Sequence, residues 1–370
     1  MGTTERTPAI LSDAESGRRD ALVGRLFDAF LAAADLLSVY VGDALGLYRS
    51  LANEGPATSG QLAARAGLAE RYAREWLEQQ AVTGILIVDD VAKDAAHREY
   101  ALPPEHAEPL TDLDSLNSIV PLARFLPPAI SVMPKLLAAY RSGAGVSWAE
   151  YGDELWQSQG DFNRPLFRHQ LAQEILPQIE DVHAALVRGA RVADIACGVG
   201  WSSIAIAKGF PNTRVDGLDL DERAVEAARG AAADAGVADR VTFHISDAAD
   251  PAHRARYDLV TIFEAVHDFS RPVEILRAAH EMLVEGGSVL VMDERVAESF
   301  SAPANDIERL MYAFSLLVCL PNGLAEQPSA GTGTVMRPDT LRAYATAAGF
   351  TEVEVLGIEH PFFRFYRLRR

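Results

Sequence analysis

Cysteine is scarce in this sequence, and long apolar runs are absent. Its 370 residues include only Cys197 and Cys319, whose wide separation fits no metal-binding spacing. We therefore expect two reduced thiols, no bound metal and a cytoplasmic location. No apolar stretch approaches the roughly 20 residues that a membrane span requires, and the first residues are polar and of mixed charge. These absences argue against a disulfide-rich secreted protein and predict that the protein has no membrane partner.

Basic side chains are also in short supply. The chain has 34 Lys and Arg residues against 52 Asp and Glu residues, which gives a formal net charge of -18. Proteins that bind nucleic acid need a basic surface against the phosphates. The charge balance therefore disfavours nucleic acid as a partner, and the length allows two domains of ordinary size.

The N-terminal part of the sequence changes from polar to strongly apolar. Residues 1–18 are predicted to form a disordered arm. A helical pattern then begins near Asp20, and apolar residues recur at three- to four-residue spacing from Leu22 to Val41. A helix this apolar needs a covering partner, either the rest of the chain or a second subunit, and we expect a homodimer.

A helix, turn, helix and hairpin pattern follows. Residues 55–67 predict a capped short helix, residues 69–83 a second helix, and residues 84–90 and 99–102 the two strands of a hairpin. This order is typical of a winged helix, and we assign residues 19–108 to a winged-helix dimerisation domain. DNA recognition is the alternative role. Residues 70–78 carry two arginines against three glutamates, which disfavours contact with phosphate.

Residues 109–188 read as a helical connector that is interrupted by proline and glycine. The connector is rich in aromatic residues, among them Trp148 and Phe162. Some of these rings are expected to cover a substrate pocket, and the others to pack between domains. The sequence does not distinguish the two groups.

From residue 189 onward, strands and helices alternate, which predicts an α/β domain with a parallel sheet over residues 189–370. The first strand runs into a turn that contains Gly198 and Gly200, and a helix follows. A dinucleotide site would need a third glycine three residues after Gly200, where this chain has Ser203. An aspartate, Asp194, instead precedes the first glycine by four residues.

Later acidic residues fall at the ends of successive strands. Asp219 lies 19 residues beyond Gly200, at the end of the second strand, where an acid can accept hydrogen bonds from ribose hydroxyls. Asp247 follows the third strand, and a Gly286-Gly287 turn precedes the fifth. The order and the spacing of these features together resemble the class I methyltransferases that use S-adenosylmethionine (SAM). Alanine replaces the family's usual glycine at Ala196.

The resemblance implies a Rossmann-like SAM-binding fold, with SAM as cofactor and S-adenosylhomocysteine (SAH) as product. It also implies a set of cofactor-binding residues around the strand ends. These residues are Asp194, Ala196, Cys197, Gly198, Gly200, Trp201, Asp219, Leu220, Ser246, Asp247, Ala248, Phe263 and Glu264.

The segment from Phe263 to Phe269 resembles the H-D-W segment of plant and bacterial small-molecule O-methyltransferases that carry a winged-helix dimerisation domain. The whole chain is similar to an actinobacterial branch whose members are often labelled methyltransferase or transcriptional regulator. The resemblance implies that His267 is the general base for an acceptor hydroxyl. A base histidine usually needs an orienting carboxylate, and Glu294 is our first candidate, with Glu264 as the alternative.

The same resemblance implies a pocket for a small-molecule acceptor, which would combine residues of the connector with residues near His267 and after the fifth strand. The expected pocket residues are Trp148, Phe162, His267, Asp268, Met311, Tyr312 and Cys319. Two other functions stay open. One is N- or C-methylation, or a reaction on this fold without methyl transfer. The other is a regulator that senses SAM or a metabolite.

Overall fold

The computed structural model describes residues 11–370, so the first ten residues of the predicted arm lie outside the described residues. The chain divides into two compact units between Asp112 and Leu113. The predicted winged-helix domain falls in the first unit. The predicted connector, apart from residues 109–112, falls in the same unit as the parallel sheet.

The first unit is mainly helical and contains one short hairpin. Its elements are α1 (Asp13–Ala44), α2 (Leu47–Glu54), α3 (Ser59–Ala66), α4 (Glu70–Val82), β1 (Ile87–Val88), β2 (Tyr100–Ala101) and α5 (Pro104–Thr111). Helix α1 begins at Asp13, so the prediction of a disordered arm is wrong for residues 13–18. Ser12 and Glu15 form a capping box there, which satisfies amide groups at the helix N-terminus.

The helix–turn–helix–hairpin order confirms the winged-helix prediction. Thr58 and Gln61 form the capping box that starts α3, and Gly67, with φ of 67°, ends it. Strands β1 and β2 pair antiparallel, with Val88 opposite Tyr100. The C-terminal end of α1 packs on α4, where the Trp76 indole donates a hydrogen bond of 3.0 Å to the Ser38 carbonyl.

The N-terminal half of α1 presents an uncovered apolar surface. Six of its apolar side chains are between 45% and 67% exposed. They are Leu22, Val23, Leu26, Phe27, Phe30 and Leu31. We call these six residues the α1 apolar face.

The second unit begins with helices. They are α6 (Val120–Ser131), α7 (Met133–Ser142), α8 (Asp153–Leu166) and α9 (Glu180–Arg188), with a π-helical segment at Phe167–Ile175 and 3₁₀ turns at Trp148–Tyr151 and Leu176–Gln178. Among residues 11–370, no single helix is long and apolar enough to cross a membrane. Only α6 and α7 taken together, bent by 61°, have that length and composition.

A seven-stranded sheet forms the centre of this unit. Its strands are β3 (Arg191–Ile195), β4 (Arg214–Asp219), β5 (Val241–Ile245), β6 (Tyr257–Phe263), β7 (Leu283–Glu294), β8 (Glu352–Val355) and β9 (Phe363–Arg369). Their order is β5-β4-β3-β6-β7-β9-β8, and only β9 runs antiparallel to its neighbours. Because β3 lies between β4 and β6, the strand order reverses at β3. Ligands bind at such reversals, outside the carboxyl ends of the strands.

Helices cover both faces of the sheet. On one face lie α10 (Trp201–Gly209) and α11 (Glu222–Asp234), and on the other α12 (Pro272–Met282) and α15 (Pro338–Ala348). Between β7 and α15 the chain also forms α13 (Asp306–Phe314), a π-helical segment at Ser315–Cys319 and α14 (Leu320–Gly323). Successive residues of β3 alternate between two apolar cores, Val192 in one and Ala193 in the other. The α/β prediction for this part of the chain is confirmed.

The two glycines of the loop after β3 differ in what surrounds them, which allows a matched test. Both have positive φ, 51° at Gly198 and 80° at Gly200. A Cβ at Gly200 would lie 2.4 Å from the Phe243 ring, whereas a Cβ at Gly198 would meet nothing within 4 Å. Gly200→Ala should therefore lower the free energy of unfolding by about 1–3 kcal/mol more than Gly198→Ala, because only Gly200→Ala overpacks the core. Denaturant unfolding of the ligand-free protein measures this, and equal losses would contradict the packing seen here.

Candidate active site

A cavity of 340 Å³ opens at the carboxyl ends of β3, β4, β6 and β7, within the second unit. Apolar and aromatic side chains make up much of its wall, and the polar groups gather near the strand ends. Most of the predicted site residues line it. Those that do are Trp148, Phe162, Asp194, Ala196, Cys197, Gly198, Trp201, Asp219, Phe263, Glu264, His267, Asp268, Glu294, Met311 and Cys319.

Asp194 shapes the loop after β3 rather than offering a free carboxylate. It is 1% exposed and accepts three hydrogen bonds of 2.6 Å, from the hydroxyls of Ser202, Ser203 and Thr261. These bonds tie β3 to the first turn of α10 and to β6. Sequence reasoning expected Asp194 to bind the cofactor, but its carboxylate is already engaged by the protein.

Asp219 closes the other side of this loop. Its Oδ2 accepts a 2.8 Å hydrogen bond from the Gly198 amide, and its Oδ1 accepts one of 3.0 Å from the Asp221 amide. Burial raises the pKa of Asp219. Asp221 also lines the cavity, and sequence reasoning missed it although it immediately follows the predicted pair Asp219-Leu220.

Six predicted residues do not line the cavity. They are Gly200, Leu220, Ser246, Asp247, Ala248 and Tyr312. Leu220 is 71% exposed, and the Ser246 hydroxyl lies 2.9 Å from His253 Nε2. Tyr312 follows Met311 on α13, and neighbouring residues of a helix point in directions about 100° apart. Met311 therefore faces the cavity, while the Tyr312 hydroxyl accepts a hydrogen bond from Arg337.

Glu264 occupies a strained position directly after β6. Its φ is 50°, a value that non-glycine residues rarely adopt outside functional sites. Its Oε2 accepts hydrogen bonds from the side-chain amides of Gln159, at 2.9 Å, and Asn163. Burial raises the pKa of Glu264 to about 7. No local sequence pattern marks these two amides. They lie one helical turn apart on α8, between aromatic residues.

His267 lies in the 3₁₀ turn Val266–Asp268 and is 2% exposed. Its Nδ1 donates a 2.9 Å hydrogen bond to Asp293 Oδ1, at the end of β7. Glu294 Oε2 lies 3.0 Å from the same nitrogen but accepts no hydrogen bond from it. The predicted partner Glu294 is therefore adjacent, but Asp293 is the residue whose carboxylate forms the hydrogen bond with Nδ1.

Several carboxylates surround His267. Burial by itself would lower the pKa of His267, but the negative charges of Glu294, Asp293 and Asp268 outweigh it, and the pKa rises well above the ordinary imidazole value. Burial works to raise the pKa of Asp293, but His267 outweighs it and holds that pKa below its usual range. Burial raises the pKa of Glu294 well above its usual range. Asp293 is therefore the carboxylate that stabilises positive charge on the His267 ring.

The Nε2 side of His267 faces a second polar group. Asp268 Oδ1 lies 3.6 Å from Nε2. Cys319 is also close: possible metal-ligand atoms of His267, Asp268 and Cys319 all lie within 4.8 Å of one another, which is one of two such sets in the described residues. The other set is His267, Asp293 and Glu294. Burial raises the pKa of Cys319 to about 12, so this side chain is a thiol at neutral pH.

Aromatic rings enclose the space beyond this polar group. Phe125 on α6 packs edge-on against Phe314 on α13, with ring centroids 4.9 Å apart. Phe162 packs against Phe362, and the Trp148 amide donates a 3.0 Å hydrogen bond to Asn322 Oδ1. The cavity therefore combines a buried imidazole with ring surfaces that can hold a flat ligand.

Known families match both units. Residues 186–324 match a methyltransferase domain family, and residues 32–112 match an Rv2258c-like winged HTH domain family. The chain is 28% identical over 224 residues to the ubiquinone biosynthesis O-methyltransferase of Aromatoleum aromaticum, covering 60% of this chain and 88% of that protein. It is 31% identical over 134 residues to the Shewanella halifaxensis enzyme of the same name, covering 36% of this chain and 54% of that protein.

Solved structures share the fold along nearly the whole chain. The mitomycin 7-O-methyltransferase MmcR has a TM-score of 0.65 at 21% identity, over 96% of this chain and 100% of that one. Human N-acetylserotonin methyltransferase in complex with SAM has a TM-score of 0.65 at 16% identity, over 100% of this chain and 99% of that one. The two family matches show a methyltransferase domain that follows a winged helix-turn-helix domain, and the solved structures show that this chain shares their fold.

Proposed function

We propose that this methyltransferase moves the methyl group of SAM to a hydroxyl oxygen of a small aromatic molecule, with His267 as the general base. The observation that carries this proposal is the buried pair of His267 and Asp293, whose Nδ1 bond leaves Nε2 as the free nitrogen of a cavity-lining imidazole. The curated relatives described above are named as O-methyltransferases, which supports oxygen as the acceptor atom.

The residues at the strand ends fit SAM in charge and in hydrogen bonding. Asp219 lies partly buried beside the Gly198 loop and can accept hydrogen bonds from ribose hydroxyls. Glu264, with the amides of Gln159 and Asn163 behind it, offers a carboxylate to a ligand ammonium. When bound, SAM supplies an electrophilic methyl group on a sulfonium. Ala196 and Glu264 both have positive φ, 56° and 50°, which is strain of the kind that proteins keep at binding sites.

The imidazole removes the acceptor proton, and Asp293 stabilises the charge that results. A phenol has a pKa of about 10 and is mostly protonated at neutral pH, so it is a poor nucleophile until a base takes its proton. As the O–H bond breaks, Nε2 gains the proton and the oxygen keeps the electron pair, which makes it the nucleophile. A bound SAM would supply the methyl carbon and would leave as SAH, whose sulfur keeps the electron pair of the broken C–S bond. The carboxylates that raise the pKa of His267 make it a stronger base, but only the neutral ring can take the proton, so the active fraction falls as the pH drops below that raised pKa.

The ring surfaces would orient the acceptor. Phe125, Trp148 and Phe314 come from three separate elements and line the same cavity. Holding a hydroxyl in line with a reactive carbon replaces a bimolecular encounter with a positioned one, which contributes much of the rate in reactions of this kind. An aromatic acceptor gains dispersion energy from such walls, which supports an aromatic over an aliphatic alcohol.

A DNA-binding role is not favoured by the first unit. The two arginines of α4 are already paired on the helix surface, Arg71 with Glu75 and Arg74 with Glu70. These pairs leave no free cation on this helix for a phosphate.

We propose that the winged-helix unit serves dimerisation, with the α1 apolar face covered by a second copy of the chain.

The general-base assignment predicts the effect of removing the imidazole. His267→Ala should lower kcat by about 10²–10⁴-fold, the range that positioned general bases contribute. SAH affinity measured by calorimetry should change little, because His267 makes no hydrogen bond to the loop at Gly198. His97→Ala, at an exposed position of the first unit, is the matched control. Near wild-type turnover by His267→Ala would show that another group takes the proton.

The dimer assignment predicts the effect of charges on the α1 apolar face. Leu26→Asp combined with Phe30→Asp would place carboxylates on a surface that a partner buries, so the variant should be monomeric by light scattering at micromolar concentration. The wild-type chain and Asp28→Asn, on the same helix, should both be dimers. A monomeric wild-type chain would overturn the assignment.

A further inference from the structure

The cavity has unfilled hydrogen-bonding capacity. Among its lining residues, four keep a buried side-chain oxygen without a hydrogen-bond partner: Asn163 Oδ1, Asp268 Oδ1, Glu294 Oε2 and Thr334 Oγ1. Within residues 11–370, none of the lining residues is Lys or Arg. Buried polar atoms need partners, and the amide and carboxylate oxygens of this group can accept hydrogen bonds from a donor that a ligand brings.

Two of these oxygens belong to the part of the cavity nearest the base. Asp268 Oδ1 lies 3.6 Å from His267 Nε2. Thr334 is 1% exposed and directly follows Gly333, whose amide donates a 3.1 Å hydrogen bond to the His267 carbonyl. Asn163 instead lies beside Glu264, at the end that we assign to SAM. Asp268 and Thr334 are therefore the unfilled partners available to the methyl acceptor.

Among residues 11–370, His267 is the one cationic partner of Asp268, and Asp293 and Glu294 already flank that imidazole. Burial raises the pKa of Asp268, so the cavity without ligand holds this carboxylate at a cost. A ligand cation placed against Asp268 would remove that cost, whereas a ligand anion would add to it.

The nearby rings add attraction for the same kind of charge. Phe125, Trp148 and Phe314 line the cavity, and a cation gains energy over the face of such rings. The described residues contain two arginine–ring contacts of this type, Arg164 over Trp201 and Arg191 over Tyr257. Neither involves these three rings, so their faces are not used by a protein cation.

We propose that the methyl acceptor carries a basic nitrogen, protonated at neutral pH, that Asp268 binds beside His267 with Thr334 as a second partner, and that the acceptor carries no carboxylate or phosphate. This inference rests on the proposed function, because it assigns this end of the cavity to the acceptor. It narrows the substrate class to amine-bearing aromatic alcohols.

The test compares three phenols of similar size that differ in charge: 4-(2-aminoethyl)phenol, 4-ethylphenol and 3-(4-hydroxyphenyl)propionate. Affinity for the full chain saturated with SAH is measured by calorimetry, so that no turnover is needed. The amine should bind about 10–100-fold more tightly than 4-ethylphenol, the range expected of a hydrogen bond to a charged group. The carboxylate should bind more weakly than both.

Asp268→Asn keeps the size of the side chain and removes its charge. It should weaken binding of the amine by about 10–100-fold and leave 4-ethylphenol within about threefold of wild type. Glu226→Gln, at a position that is 77% exposed on α11, removes one charge outside the cavity and should change neither affinity. If Asp268→Asn fails to fold by thermal melting, Trp148→Leu keeps the carboxylate, removes one ring and should weaken the amine selectively.

Three results would overturn the inference: a carboxylate that binds as tightly as the amine, an amine that does not bind at millimolar concentration, or an amine preference that survives Asp268→Asn. A parallel assay with methyl-labelled SAM separates this inference from the proposed function. Amine preference without methyl transfer to the bound phenol oxygen would contradict hydroxyl methylation and leave the amine subsite standing. Methyl transfer without amine preference would contradict the subsite alone.

Discussion

The hydrogen bond between His267 Nδ1 and Asp293 depends on how the parallel strands end. Phe263 on β6 pairs with Met292 on β7, so the turn that carries His267 and the carboxylate that follows Met292 reach the same edge of the sheet. Both side chains are almost completely buried. A buried imidazole needs a partner for its N–H, and a buried carboxylate needs a cation, so each residue makes the position of the other favourable.

Other features of the cavity are consistent with a site built around charge. Asp194 and Asp219 are both occupied in holding the loop after β3, which leaves the loop preorganised before any ligand arrives. Glu264, Asp268 and Glu294 then make the remaining space acidic, with no lining lysine or arginine in the described part of the chain. Such a space suits a cofactor with a sulfonium and an ammonium. The amine that we propose for the acceptor rests on the same negative charges that raise the pKa of His267.

Sequence alone predicted the α/β fold and the winged helix, and most of the site residues that it predicted line the cavity, because strand ends and glycine turns leave strong local patterns. It chose Glu294 rather than Asp293 as the partner of His267, since two adjacent acids after a strand differ only in side-chain direction. It also missed Gln159, Asn163 and Thr334, which reach the cavity from distant segments through packing that no local pattern records. The helix start at Asp13 was missed although Ser12 and Glu15 carry a capping signal.

The central claim is that His267 is a buried imidazole whose Nδ1 hydrogen is held by Asp293 and whose pKa the surrounding carboxylates raise. Nitrogen-15 NMR of the ring nitrogens as a function of pH, with Asp293→Asn as the comparison, tests it directly. The account predicts that His267 stays protonated as the pH rises through 6.5, the ordinary histidine value. The neutral form above its pKa should keep the hydrogen on Nδ1, and Asp293→Asn should lower the pKa. An inflection at or below 6.5, or a hydrogen on Nε2 in the neutral form, would contradict it.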